Sequence, residues 1–174
     1  MVDTNNEKTS FIEKAEKEIK SRCVKEEKNI KKLDEELKEL ERSNKGYSRF
    51  LKELDEFLEE SMNDFNVSKE DLGPYFRRNI NEVFQSYLNI KEDAITEINV
   101  LNNFKLKKDK QLKETLKTQK FFRSQYLDSD FFTSCLPLVE LYQKEIDTLN
   151  DILKLLSTIL QILKEIVSNL KSWD

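Results

Sequence analysis

Between Ile12 and Phe65 the chain can be stepped through in alternating gaps of four and three: Ile12, Glu16, Ile19, Cys23, Glu26, Ile30, Leu33, Leu37, Leu40, Asn44, Tyr47, Leu51, Leu54, Leu58, Ser61 and Phe65. Spacing that averages 3.5 residues keeps one stripe facing a neighbour turn after turn, so it predicts a long helix supercoiled left-handedly against partner helices. Glu16, Cys23, Ile30, Leu37, Asn44, Leu51, Leu58 and Phe65 fall at the a positions, with mostly Ile, Leu and Tyr at d. The polar exceptions matter. Glu16 and Glu26 weaken the first third, and Asn44 stands beside Gly46, where the helix cost of glycine favours a kink or short break at Ser43–Gly46. An intact helix would instead bury Asn44, which could then fix register.

Composition supports rods. Two glycines and two prolines in 174 residues cannot supply the turns of a sheet protein, while 37% hydrophobic and 37% charged residues suit amphipathic helices. The first helix is expected to stop near Asn66, because Ser68 and Asp71 form a capping pair and Gly73-Pro74 interrupts the chain. A second helix follows from Pro74, with Ile80, Val83, Tyr87, Ile90, Ala94, Ile98 and Leu101 on one face and a stutter at Ala94. Beyond Leu101 its stripe thins to Phe104, Leu112, Leu116 and Phe122. Leu127–Asp130 caps the next helix, and Pro137 suits a first turn. The seam of that third helix reads Tyr142, Glu145, Leu149, Ile152, Leu156, Ile159, Leu163, Ile166, Leu170 and Trp173, flanked by Ile146, Leu153, Leu155, Leu160, Ile162 and Val167. That stripe is wider than a two-stranded seam needs, so it must touch at least two other helices.

The expected fold is all-α: an elongated antiparallel three-helix, up-down-up, coiled-coil-like bundle. Its helices span about 9–66, 74–126 and 131–172, after a disordered tail at 1–8, in a single domain over 9–174. At 1.5 Å per residue the first two helices would reach roughly 80 Å and the third about 60 Å.

The absence of histidine removes the usual general base and the Ser-His and Cys-His nucleophile pairs. Two cysteines, Cys23 and Cys135, build neither a zinc site nor a disulfide framework and are expected as buried thiols in a reducing compartment. Carboxylate runs such as Glu35-Glu36 and Glu59-Glu60 fall on outward positions and read as solvated faces. No enzyme, no cofactor and no metal is therefore expected. The polar start shows no secretory signal and no apolar run shows a membrane span, so the expected location is intracellular and cytoplasmic.

Binding remains. Lys105, Lys107, Lys108, Lys110, Lys113, Lys117, Lys120 and Arg123 outnumber Asp109 and Glu114, a local balance of +6 that leaves −10 for the rest of a chain of net charge −4. This basic patch near one tip could meet an anionic membrane or an acidic protein surface, although the near-neutral total argues against specific nucleic-acid binding. Phe121, Phe122, Tyr126, Phe131 and Phe132 cluster at the neighbouring turn as a hydrophobic plug or a partner patch. The surplus apolar face of the third helix, Leu149, Ile152, Leu153, Leu156, Ile159, Leu160, Leu163, Ile166, Val167 and Leu170, invites a fourth helix from a second copy or another subunit.

The leading expectation is a non-enzymatic structural or adaptor subunit that scaffolds a multiprotein assembly through coiled-coil packing. Three long antiparallel helices with a basic tip also resemble, in architecture alone, the BAR-type dimers, which implies a membrane-surface module. A third reading, a secreted helical effector binding a host protein, fits the excess of lysine over arginine.

Overall fold

The computed structural model describes residues 2–64, 66, 68, 74–126 and 129–172; within the helices, the side chains at 2–9, 61, 75–76, 122–126 and 129–134 are not described. The fold is an all-α antiparallel three-helix arrangement of α1 (Val2–Asp64), α2 (Pro74–Tyr126) and α3 (Ser129–Ser172). α1 begins at Val2, so the stretch 1–8, expected as a disordered tail, is helical from its second residue. No glycine or proline interrupts the chain before Gly46, and each added residue extends a helix that is already nucleated. Its far end is set by Asn66, whose φ of 53° turns the chain left-handed while its N–H donates to the Asn63 carbonyl at 3.1 Å. Asparagine is among the few residues that tolerate that conformation. Ser68 is exposed, and the proposed partner of its cap, Asp71, lies outside the described residues.

The chain divides into two compact units, each drawing on all three helices. Unit 1 is Met1–Leu37 with Asn102–Asp151, and unit 2 is Lys38–Leu101 with Ile152–Asp174. In unit 2, Leu54 and Leu58 of α1 meet Ile80 of α2 and Ile166 and Leu170 of α3, while Leu40 packs toward Ala94, Ile159 and Leu163. Residue numbers thus fall along α1 and α3 while they rise along α2, which makes α1 and α3 parallel and α2 antiparallel. Phe50 stacks on Tyr87 at 4.8 Å and Tyr47 meets the same ring edge-on at 6.2 Å, a cluster contributing about 0.5–1.5 kcal/mol per pair beyond its buried area. In unit 1, Ile12, Ala15 and Ile19 pack on the buried Cys135 of α3.

Every described a and d position of α1 from Ile12 to Leu58 is buried or half-buried, as the spacing predicts. The break expected near Gly46 is absent. α1 runs through it because the apolar seam continues on both sides, and packing outweighs the roughly 1 kcal/mol helix cost of one glycine. Gly46 is exposed and a Cβ there would meet nothing within 4 Å. Gly46→Ala should therefore raise stability by about 0.5–1 kcal/mol in chemical denaturation, and a loss would mean that the helix bends there. Pro137 also departs from expectation. α3 starts at Ser129, so the proline sits beyond the first turn, where it removes one backbone hydrogen bond to Thr133; its side chain is exposed.

Candidate functional site

The α2 stripe does not fade after Leu101; it becomes polar. Lys108, Thr115 and Gln119 are buried, following Ala94 and Leu101 at heptad spacing, whereas Leu116, assigned to the stripe from sequence, is exposed. Thr115 hides its hydroxyl by donating to the Gln111 carbonyl at 2.8 Å. Lys108 is the largest correction to the basic patch, since it points inward and only 4% of it is exposed.

What holds an ammonium there is a pair of glutamates from the other two helices. Lys108 Nζ donates to Glu26 Oε2 at 2.8 Å and lies 3.6 Å from Glu145 Oε1. Asn29 Nδ2 donates to the same Glu26 oxygen at 3.3 Å. The rings of Phe104 and Tyr142 lie 5.2 and 5.6 Å from the ammonium, within cation–π range. Glu145 is wholly buried. As an anion it would have no donor within hydrogen-bond distance at either oxygen. As a neutral acid it can give its own proton to Glu26. Burial, then that shared proton, push the Glu145 carboxyl up to about 8 against the pull of Lys108. Burial would raise Glu26 too, but hydrogen bonds from Glu145 and Lys108, the lysine charge and Asn29 together hold it below its ordinary value. One cation, one anion and one neutral acid leave the cluster uncharged near neutrality. Sealed from solvent, it offers no reactive atom to a substrate.

Both glutamates already stand on the sequence seams, Glu26 at a d position and Glu145 between Tyr142 and Leu149. The missing signal was the seven-residue step Ala94, Leu101, Lys108, Thr115, which picks one lysine out of a lysine-rich run.

A groove of about 280 Å³ in unit 1 is lined by Arg22, Thr115, Thr118 and Cys135 among others. Arg22 is already paired with Glu18 at 3.1 Å, and Thr118 donates to the Glu114 carbonyl at 3.0 Å. Burial, with the neighbouring Cys23, pushes the Cys135 thiol up to about 11, which makes it a poor nucleophile. The groove therefore has the character of a packing gap.

The remaining patch residues divide cleanly. Lys107, Lys110, Lys113, Lys117 and Lys120 are exposed, Lys105 is half-buried, and the side chain of Arg123 lies outside the described residues. Lys110, Lys113, Lys117 and Lys120 follow gaps of three, four and three on the face opposite Lys108, Thr115 and Gln119. Leu106, 65% exposed, shares that face.

The residues assigned to a partner face on α3 differ in how far the chain itself covers them. Leu149 in unit 1, and Ile152, Leu156, Ile159, Leu163, Ile166 and Leu170 in unit 2, are buried at 0–2% exposure by the chain's own helices. Leu153, Leu160 and Val167 are half-buried. Sequence gives the width of a stripe but not how much of it α1 and α2 will cover. Phe131 and Phe132 lie in α3, and their side chains, like those of Phe122 and Tyr126, are outside the described residues; Phe121 is exposed. Among the described residues no cluster of three or more metal-ligating side chains occurs, and no helix is long and apolar enough to cross a membrane. No family model, curated protein or solved structure matches the chain.

Proposed function

We propose that the chain is a non-enzymatic adaptor subunit that docks on an acidic protein surface through the lysine line of α2. The observation that carries this reading is the exposure of Lys110, Lys113, Lys117 and Lys120 in one row, backed by a buried seam that fixes which way the row faces. The route differs from the expected coiled-coil packing on α3, whose central seam from Leu149 to Leu170 is buried inside the chain. Electrostatic docking of this kind is fast, specific for charge pattern and sensitive to salt. Quantitative affinity capture from the source cells tests it. Partners held by the wild-type chain at low salt should be lost from a variant carrying Glu at all four lysines and kept by one carrying Glu at Lys31 and Lys32, which are exposed on α1. Equal capture by all three overturns the proposal.

A second reading, binding to an anionic membrane surface, draws on Leu106, because an exposed leucine among lysines suits a headgroup boundary. Co-sedimentation with phosphatidylserine vesicles that is abolished by Leu106→Glu would favour it.

A further inference from the structure

The carboxylates at the C-terminal end of α1 form a second charged line. From Glu53 to Asp64 the chain has no basic residue, and Glu53, Asp55, Glu56, Glu59, Glu60 and Asp64 are all exposed. Glu53, Glu56, Glu60 and Asp64, at gaps of three, four and four, run along the face opposite the buried Leu54 and Leu58. Phe57 stands beside them, 55% exposed.

This line matches the lysine line of α2 feature by feature. At 1.5 Å per residue, Lys110 to Lys120 spans about 15 Å and Glu53 to Asp64 about 17 Å. Each carries four like charges at helical spacing beside large exposed apolar side chains, Leu106 and Phe121 near the lysines and Phe57 near the acids. Glu114 is the one acid between Lys110 and Lys120. Neither set forms an ion pair with another described residue.

We propose that the acidic surface docked by the lysine line is the acidic line of a second copy of this chain. The pairing rests on the adaptor reading and names its partner. One helix face laid along another buries less area than a stable dimer needs, and exposed ion pairs are individually weak and screened by salt. The association is therefore weak, concentration-dependent and reversed by salt. A membrane would offer counter-charge only to the lysines, whereas a second copy offers counter-charge to both lines.

Sedimentation equilibrium of the full chain tests it. At about 20 mM salt the average mass should rise above the 20.8 kDa of the monomer as concentration increases, and at about 500 mM it should return to that value. Glu at Lys110, Lys113, Lys117 and Lys120 should abolish association, as should Lys at Glu53, Glu56, Glu60 and Asp64, with helicity retained in both. An equimolar mixture of the two reversed variants should associate again, because each supplies the charge the other lacks. Should a quadruple variant fail to fold, Lys113→Glu and Glu56→Lys should each weaken association several-fold.

A wild-type chain that stays monomeric at low salt overturns the pairing, whether or not it binds anionic vesicles. So does a mixture that fails to associate while both variants are folded. A monomeric wild type whose capture of another protein is lost on lysine reversal overturns the pairing alone and leaves the adaptor reading intact. If lysine reversal alters neither self-association nor capture, both fall.

Discussion

Replacing Lys108 with Met should cost about 3–5 kcal/mol of stability, far more than removing any neighbouring lysine. Methionine matches the stem in length and shape, so the loss isolates the charge. It would leave Glu26 buried without the ammonium that now donates to it at 2.8 Å, beside a Glu145 that has no other cation within 4 Å among the described residues. Lys113→Met, on the exposed face of the same helix, should stay within about 0.5 kcal/mol of wild type. Guanidinium denaturation of the two variants gives the comparison. A Lys108→Met loss below about 1 kcal/mol would mean that water reaches the cluster. The same physics predicts an asymmetry: replacing all three members together, Glu26→Leu, Lys108→Met and Glu145→Leu, should be close to neutral or stabilising, since no charge is then left to desolvate.

The seams were readable because burial in a helix bundle follows period, and period is written in the sequence. Tyr142 to Leu170 is buried at each position that the spacing names, and α1 behaves the same way from Ile12 to Leu58. Two things were not readable from period alone. Lys108 was counted with its neighbours because a charge tally ignores direction, yet it stands seven residues from Leu101 and faces inward while Lys107 faces out. For α3, a stripe shows which residues need cover, not which helix provides it: the chain buries the central seam and leaves Leu153, Leu160 and Val167 half-buried. Gly46 and Pro137 illustrate a related limit. Local propensity argued for a break at one and a helix start at the other, and the helices continue through both because their buried faces outweigh a cost of about 1–3 kcal/mol.

Stability should fall as pH rises from about 5 to 8, and Glu145 should be the cause. Its carboxyl is pushed from an ordinary 4.5 up to about 8 in the folded chain, so across that window the native state holds a proton that the unfolded chain has released. Its stabilising contribution is thus complete below the unfolded value and lost as pH climbs toward the folded one; over three units the loss is on the order of 4 kcal/mol. Glu26 works in the opposite sense. Held below its ordinary value, it stabilises above that value and loses its contribution as pH falls through the acid range. Cys135, Cys23 and Tyr142 are raised by burial and add to the decline only from about pH 9 upward. Glu26 and Cys23 on α1, Lys108 on α2 and Tyr142 on α3 surround Glu145, and with Glu26 lowered and Cys23 and Tyr142 raised, Glu145 is left to set the slope between pH 5 and 8. Glu145→Gln keeps the shape, can donate to Glu26 and cannot ionise, so its stability should be nearly flat over the same window. Hydrogen exchange of the α3 amides between Leu138 and Asp151, followed at pH 5, 6, 7 and 8 and corrected for intrinsic rates, reads unit 1 directly. A wild type whose protection does not change with pH, or a Glu145→Gln chain with the same slope as wild type, would show that Glu145 is ionised throughout and that Lys108 alone balances both carboxylates.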